Sequence, residues 1–237
     1  MTAHFFRLIG AGVASASLLA ACGGGGTPAA TTSATASFAL SAGYSARINK
    51  GATDNFIVSG DCSGTASIAT AAAVPSTFEG VTGFFSAGQV STVNFTKCTS
   101  STPSTTGTTY FNANYVPIGL SINGGEYSSN TGQPAPSTLP ASVIVGNSGA
   151  IDTMTTYADS TKMIVTGKRV LSFAIEPDTS TTTAIANIIT KSYDQANNLL
   201  ATQQSRFHMA ADGTLTLASI DVQFAYTSTI HLVYTPQ

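Results

Sequence analysis

From residue 143 to the C-terminus, short runs rich in Thr, Val, Ile, Tyr and Phe alternate with turn signals. This rhythm restricts the fold more than any other property of the chain. After Val143 and Val145, Asn147-Ser148-Gly149 marks a turn. Thr166-Gly167-Lys168-Arg169 predicts a two-residue hairpin between runs at 163–165 and 170–175. Runs at 183–193, 198–210, 214–226 and 230–234 follow. Short strands joined by tight turns, with few helical periods, make an antiparallel all-β protein, sandwich-like or barrel-like.

The first half reads less regularly. Phe38, Leu40, Ala42, Tyr44, Ala46 and Ile48 alternate with small and polar residues and predict a strand. A second strand at 55–59 puts Phe56 and Val58 on one face, and another covers 89–98. The Ala-rich stretch 66–73 reads as strand or loop, 99–109 as loop, and 110–122 as extended chain before an Asn123-Gly124-Gly125 hairpin. Gly132, Pro134, Pro136 and Pro140 mark the expected boundary between an N-terminal region, 37–130, and a C-terminal region, 137–237. The two regions form one domain or two.

One hairpin is legible in detail. A three-residue loop, Ala211-Asp212-Gly213, sets Met209 opposite Leu215 and Phe207 opposite Leu217. A two-residue loop puts these pairs on opposite faces, so the longer loop is expected, with Gly213 in the left-handed region. Ile220, Val222, Phe224 and Tyr226 continue in a shifted phase, which requires a bulge at 218–220. Tyr226 then faces Leu199, and Phe224 faces Ala201. Thr202, Gln204, Arg206, His208, Asp221 and Gln223 gather on the other face, with Arg206 and Asp221 in diagonal reach. Antiparallel sheets commonly wet one face. The functional reading is that this stripe recognises a glycan or a protein partner.

At the N-terminus, Arg7 precedes an uncharged run of about 14 residues, suited to a signal-peptide core and too short to span a bilayer. Leu19-Ala20-Ala21-Cys22 and four glycines follow. These residues resemble the signal peptide and lipobox of bacterial lipoproteins, in particular β-rich envelope lipoproteins of Gram-negative bacteria that start Cys-Gly-Gly-Gly-Gly. The resemblance covers residues 1–26. It implies removal of residues 1–21, acylation of Cys22 and attachment to a membrane through that lipid. Residues 22–36 become a flexible tether. Gly23, where an Asp would hold the protein at the inner membrane, implies the outer membrane. No catalytic or binding residue carries over.

With Cys22 lipidated, Cys62 and Cys98 remain of the three cysteines. In an oxidising compartment an even pair predicts a disulfide. The alternative, a metal site, lacks nearby histidine, and zinc takes four ligands. Only 8% of residues are charged, against about 25% in ordinary globular domains, so hydroxyl and amide side chains must carry solubility. A formal net charge of -2, with no Lys/Arg cluster, gives no reason to expect nucleic acid or an anionic lipid surface as partner.

Catalytic motifs are weak. Gly146-Asn147-Ser148-Gly149 faintly resembles a serine-protease nucleophile loop but lacks the preceding Asp, and reads as a turn. Beyond the leader only His208 and His231 offer imidazoles, and no nucleophile elbow or metal-ligand motif is present. Asp152, Asp159, Asp178 and Asp194 sit in or near turns. Glu79, Glu126 and Glu176 are the only glutamates, and the chain has no Trp to floor a glycosidase cleft. The expectation is a non-catalytic, lipid-anchored cell-envelope protein without cofactor or metal, in a structural role or binding an envelope protein or a glycan. The alternatives are a secreted hydrolase with an unrecognised site, or a periplasmic carrier of an apolar ligand. The carrier predicts a closed barrel around an apolar cavity.

Overall fold

The computed structural model describes residues 31–98, 104–225 and 229–237. The leader, Cys22 and Tyr226 lie outside the described residues. The described chain forms one helix, α1 (Leu40–Lys50), and the strands β1 (Ala52–Gly60), β2 (Gly64–Thr70), β3 (Val74–Phe78), β4 (Val81–Phe95), β5 (Thr105–Phe111), β6 (Pro117–Ile122) and β7 (Tyr127–Ser129). They continue with β8 (Ser148–Tyr157), β9 (Val165–Pro177), β10 (Thr183–Asp194), β11 (Leu199–Ala210), β12 (Leu215–Ala225) and β13 (Thr229–Pro236).

All thirteen strands join one antiparallel sheet in the order β2-β1-β13-β12-β11-β10-β9-β8-β7-β6-β5-β4-β3. Pairing of β2 with β4, from Gly64↔Phe95 to Thr70↔Gln89, closes twelve of them into a barrel and leaves β3 outside the ring. Strands from both sides of the proline-rich segment share this sheet.

The barrel is apolar within and polar without. Phe56, Val58, Met154, Leu171, Ile188, Phe207, Val222 and Tyr234 belong to the buried core cluster. The alternate residues of the same strands include Thr53, Asn55, Lys168, Ser172, Lys191 and Gln223, and these face outward. A membrane-spanning barrel has the reverse arrangement, with an apolar belt outside.

Eight strands enclose only enough room for their own side chains, so twelve leave space to fill. The helix α1 fills one end. Leu40, Gly43, Tyr44 and Arg47 share a helical face at i, i+3, i+4 and i+7. Leu40 and Gly43 are buried. Gly43 lies so close to Gly213, in the β11–β12 turn, that a Cβ built on it stands 1.7 Å from the Gly213 carbonyl oxygen. Backbone meets backbone there, and no other residue fits. Arg47 and Lys50 occupy the last turn, where the helix dipole favours cations. Gly51, with φ of 69°, ends the helix. The segment between β7 and β8 also packs at this end, through a bridge of Val143 to Phe38 and burial of Leu139.

This helix corrects the strand expected from Phe38 to Ile48. The same residues satisfy both periods, and the helical one places Leu40 and Tyr44 on the barrel core. The tether expected over 22–36 is corrected at its end: Thr32 is buried and hydrogen-bonded to the Asp178 N–H at 2.8 Å. The hairpin expected at 166–169 is absent, because β9 runs straight through it and the turn lies at 158–164. The loop expected over 99–109 gives way to β5 from Thr105, and 110–122 holds a turn between β5 and β6.

Outside the barrel, β3 and the start of β4 fold back over β5–β8. Phe78 stacks among Phe84, Tyr110 and Tyr127 in a small second core, with its ring against Gly119. Glu79 at the hairpin tip accepts hydrogen bonds from Tyr127 at 3.0 Å and Lys162 at 2.8 Å. Burial pushes the Glu79 carboxyl up, but hydrogen bonds from Lys162, Thr131, Ser129 and Tyr127 hold it below the ordinary carboxylate range.

Candidate functional site

Between α1 and the middle of the barrel lies a lumenal cavity of about 250 Å³. Its wall is mostly apolar: Phe56, Ile68, Phe111, Met154, Leu171, Ile188, Phe207, Leu217 and Ile220 all contribute. These residues alternate along their strands, so each presents every second side chain to the lumen. Tyr44, Arg47 and Ile48 of α1 close the cavity on the stoppered side.

Polar groups enter this wall at a few points. The Arg47 guanidinium sits 5.1 Å above the Phe207 ring and bonds the Asp54 carboxylate at 2.6 Å. Arg169, buried among the strands, bonds Glu126 at 2.6 Å. Both lumenal arginines are therefore matched by a carboxylate, as burial of charge demands. Thr190 and Gln203 sit directly opposite one another on β10 and β11 and both line the cavity. Thr190 is 1% exposed and Gln203 6%, and neither Thr190 Oγ1 nor Gln203 Oε1 has a hydrogen-bond partner among the described residues. The Gln203 amide nitrogen donates to Ser205 at 3.2 Å.

The expected stripe exists in the expected register. Met209 faces Leu215, Phe207 faces Leu217 and Phe224 faces Ala201, with the irregularity where Ala218 is skipped. Gly213 has φ of 90°. Thr202, Gln204, Arg206 and His208 on β11 and Asp221 and Gln223 on β12 share the outer face.

The ion pairing of that face differs from expectation. Arg206 bonds Glu176 at 3.2 Å, two strands away, and also donates to Gln204. Asp221 instead faces His231 at 3.1 Å. Asn187, buried at the centre, bridges Glu176 and Gln204 at 2.6 and 2.7 Å. His208 Nδ1 lies 2.7 Å from Asp178. Burial pushes the Asp178 carboxyl up, yet hydrogen bonds from Thr183, His208 and the Thr179 N–H together hold it below the ordinary range. Each charged member of the stripe thus meets an ionisable group outside it: Arg206 meets Glu176, His208 meets Asp178 and Asp221 meets His231.

Cys62 and Cys98 form a disulfide with a Cα–Cα separation of 5.5 Å, at the barrel end opposite α1. Neither imidazole is hydrogen-bonded to a serine or cysteine side chain among the described residues. No three His, Cys, Asp or Glu side chains among the described residues gather as metal ligands would. Sequence reasoning did not find the cavity. Thr190 and Gln203 carried no motif, and the only available signal was a polar residue at a core-facing position of an otherwise apolar alternation. Comparison of the chain with models of protein families, with curated proteins and with solved structures gives no match.

Proposed function

We propose that this chain is a non-catalytic, lipid-anchored protein of the cell envelope whose barrel lumen holds a small, mainly apolar molecule. The observation that carries the reading is the apolar-walled cavity between α1 and the barrel. Of the sequence expectations, this favours the carrier over the partner- or glycan-binding scaffold. The outer stripe supports the scaffold less, because Arg206 and His208 are already engaged by Glu176, Gln204 and Asp178. Scaling from benzene in a cavity of roughly 150 Å³, the lumen suits about ten non-hydrogen atoms.

Attachment to the outer membrane follows from the resemblance of residues 1–26 to lipoproteins and fits a barrel whose outer face is polar. Mass spectrometry of the mature protein is expected to find Cys22 as an acylated first residue. An unmodified Cys22, or a different start, overturns the anchor.

The lumen reading is tested with toluene and methionine-methyl NMR on the full chain. Met154 lines the cavity, whereas Met163 is 83% exposed and remote from it. Toluene is expected to shift the Met154 methyl and leave Met163 unmoved. Filling the cavity by Ile188→Trp is expected to abolish the shift. A Met154 signal indifferent to toluene at millimolar concentration overturns the reading.

A further inference from the structure

We propose that Thr190 and Gln203 form the polar anchor of the lumen and select a neutral ligand bearing a hydroxyl group. The inference rests on the lumenal reading above and adds the chemical class of what is held. The two residues are direct cross-strand partners, and such pairs hold their Cβ atoms about 5 Å apart, close enough to share one ligand group. Each is more than nine-tenths buried, each is among the residues that line the cavity, and each carries a buried oxygen with no hydrogen-bond partner among the described residues.

A buried polar atom without a partner is costly, and a protein retains two of them side by side when something else satisfies them. The chemistry of the pair fixes the complement. Gln203 Oε1 accepts a hydrogen bond, and Thr190 Oγ1 both donates and accepts. A hydroxyl meets both demands at once, donating to the amide oxygen and accepting from the threonine. It serves equally if the amide is turned over, because a hydroxyl also accepts from nitrogen.

Charge excludes the ionic alternatives. Arg47 and Arg169, the guanidiniums nearest the lumen, are each bonded to a carboxylate at 2.6 Å. An anionic head would have to compete with Asp54 or Glu126 for them. A cationic head would have to displace an arginine from its carboxylate. The remaining wall around Ile188, Leu171 and Phe207 is apolar and suits a ring or short chain behind the hydroxyl.

The experiment titrates three probes of matched shape, 4-ethylphenol, 4-ethyltoluene and 4-ethylbenzoate, into the full chain and into Thr190→Val/Gln203→Leu. The Met154 methyl shift reports occupancy. In the wild type 4-ethylphenol is expected to bind at least about tenfold more tightly than the other two. In the double variant the preference over 4-ethyltoluene is expected to vanish while 4-ethyltoluene binds no worse. Should the double variant fail to fold, Thr190→Val alone, which keeps shape and volume, is expected to reduce the preference severalfold. Equal binding of the phenol and the toluene in the wild type overturns the anchor, as does a preference that survives the substitutions. In both of those outcomes Met154 still responds and the lumenal reading stands. If none of the three probes moves Met154, the lumenal reading fails and the anchor falls with it.

Discussion

Replacing Cys62 and Cys98 together by serine is expected to lower the unfolding free energy by about 3–4 kcal/mol. The bridge spans a sequence separation of 36 residues. In the chain-entropy account, releasing a loop of that size restores this much freedom to the unfolded chain. Place matters as well as length. Cys62 lies in the turn between β1 and β2, and Cys98 follows the end of β4. The bridge therefore stands beside the Gly64↔Phe95 pair, at one end of the β2–β4 contact that closes the ring. Losing it removes a covalent tie from the closing seam. For a chain of this size the midpoint of thermal unfolding is expected to fall by about 10 °C. Thermal melts of the double-serine variant, and of the wild type under reductant, check this. A shift under 2 °C in both shows that the pairing contributes nothing to stability.

A second large effect centres on Asp152. It sits on β8 opposite Leu171 and is only 5% exposed. Burial pushes its carboxyl up to about 6, against the smaller opposing pull of the Thr153 N–H and the Asn130 side chain. The folded protein therefore holds this proton more tightly than the unfolded chain, whose reference value is 3.8. The contribution to stability is complete below about pH 4 and is lost as pH rises through 6. At neutral pH the ionised group is a burden on the fold of about 3 kcal/mol. Asp152→Asn keeps the shape and removes the charge. It is expected to raise stability by about 3 kcal/mol at pH 7.5 and to change little at pH 4. Urea unfolding midpoints at the two values decide it. An equal gain at both, or a loss at pH 7.5, removes the titration of Asp152 as the cause.

The contrast between what the sequence disclosed and what it hid has physical causes. The β11–β12 hairpin was readable because apolar residues alternate on both sides of a glycine turn, and the phase slip at Ala218 betrayed its bulge. Helix α1 was not, because Leu40, Tyr44 and Ile48 fit a strand period and a helical one equally. Only the barrel interior, assembled from distant strands, chooses between them. Lys168-Arg169 looked like a polar turn, yet Arg169 is 3% exposed and bonded to Glu126. A buried ion pair imitates a loop when its partner lies 43 residues away. The cavity was invisible for the same reason. Its wall needs the closing pairs β2–β4 and β1–β13, and no local pattern states a closure. The alternation on β11 and β12 places the outer stripe on its face, but Glu176 lies on β9, outside that hairpin, so no local pattern names the partner of Arg206.

The pairing of β1 with β13 joins Phe56 to Pro236, the first strand of the ring to the last. These partners are about 180 residues apart, so the loop to be closed holds nearly the whole barrel. During synthesis the early strands emerge with no mate on that side and must wait for β13. Until then β1 presents an open hydrogen-bonding edge, and Phe56 and Val58 face water. Such long-range pairing folds slowly and exposes its intermediates to aggregation. Strand β13 therefore acts as a timer: the lumen does not exist until Thr229–Pro236 has arrived.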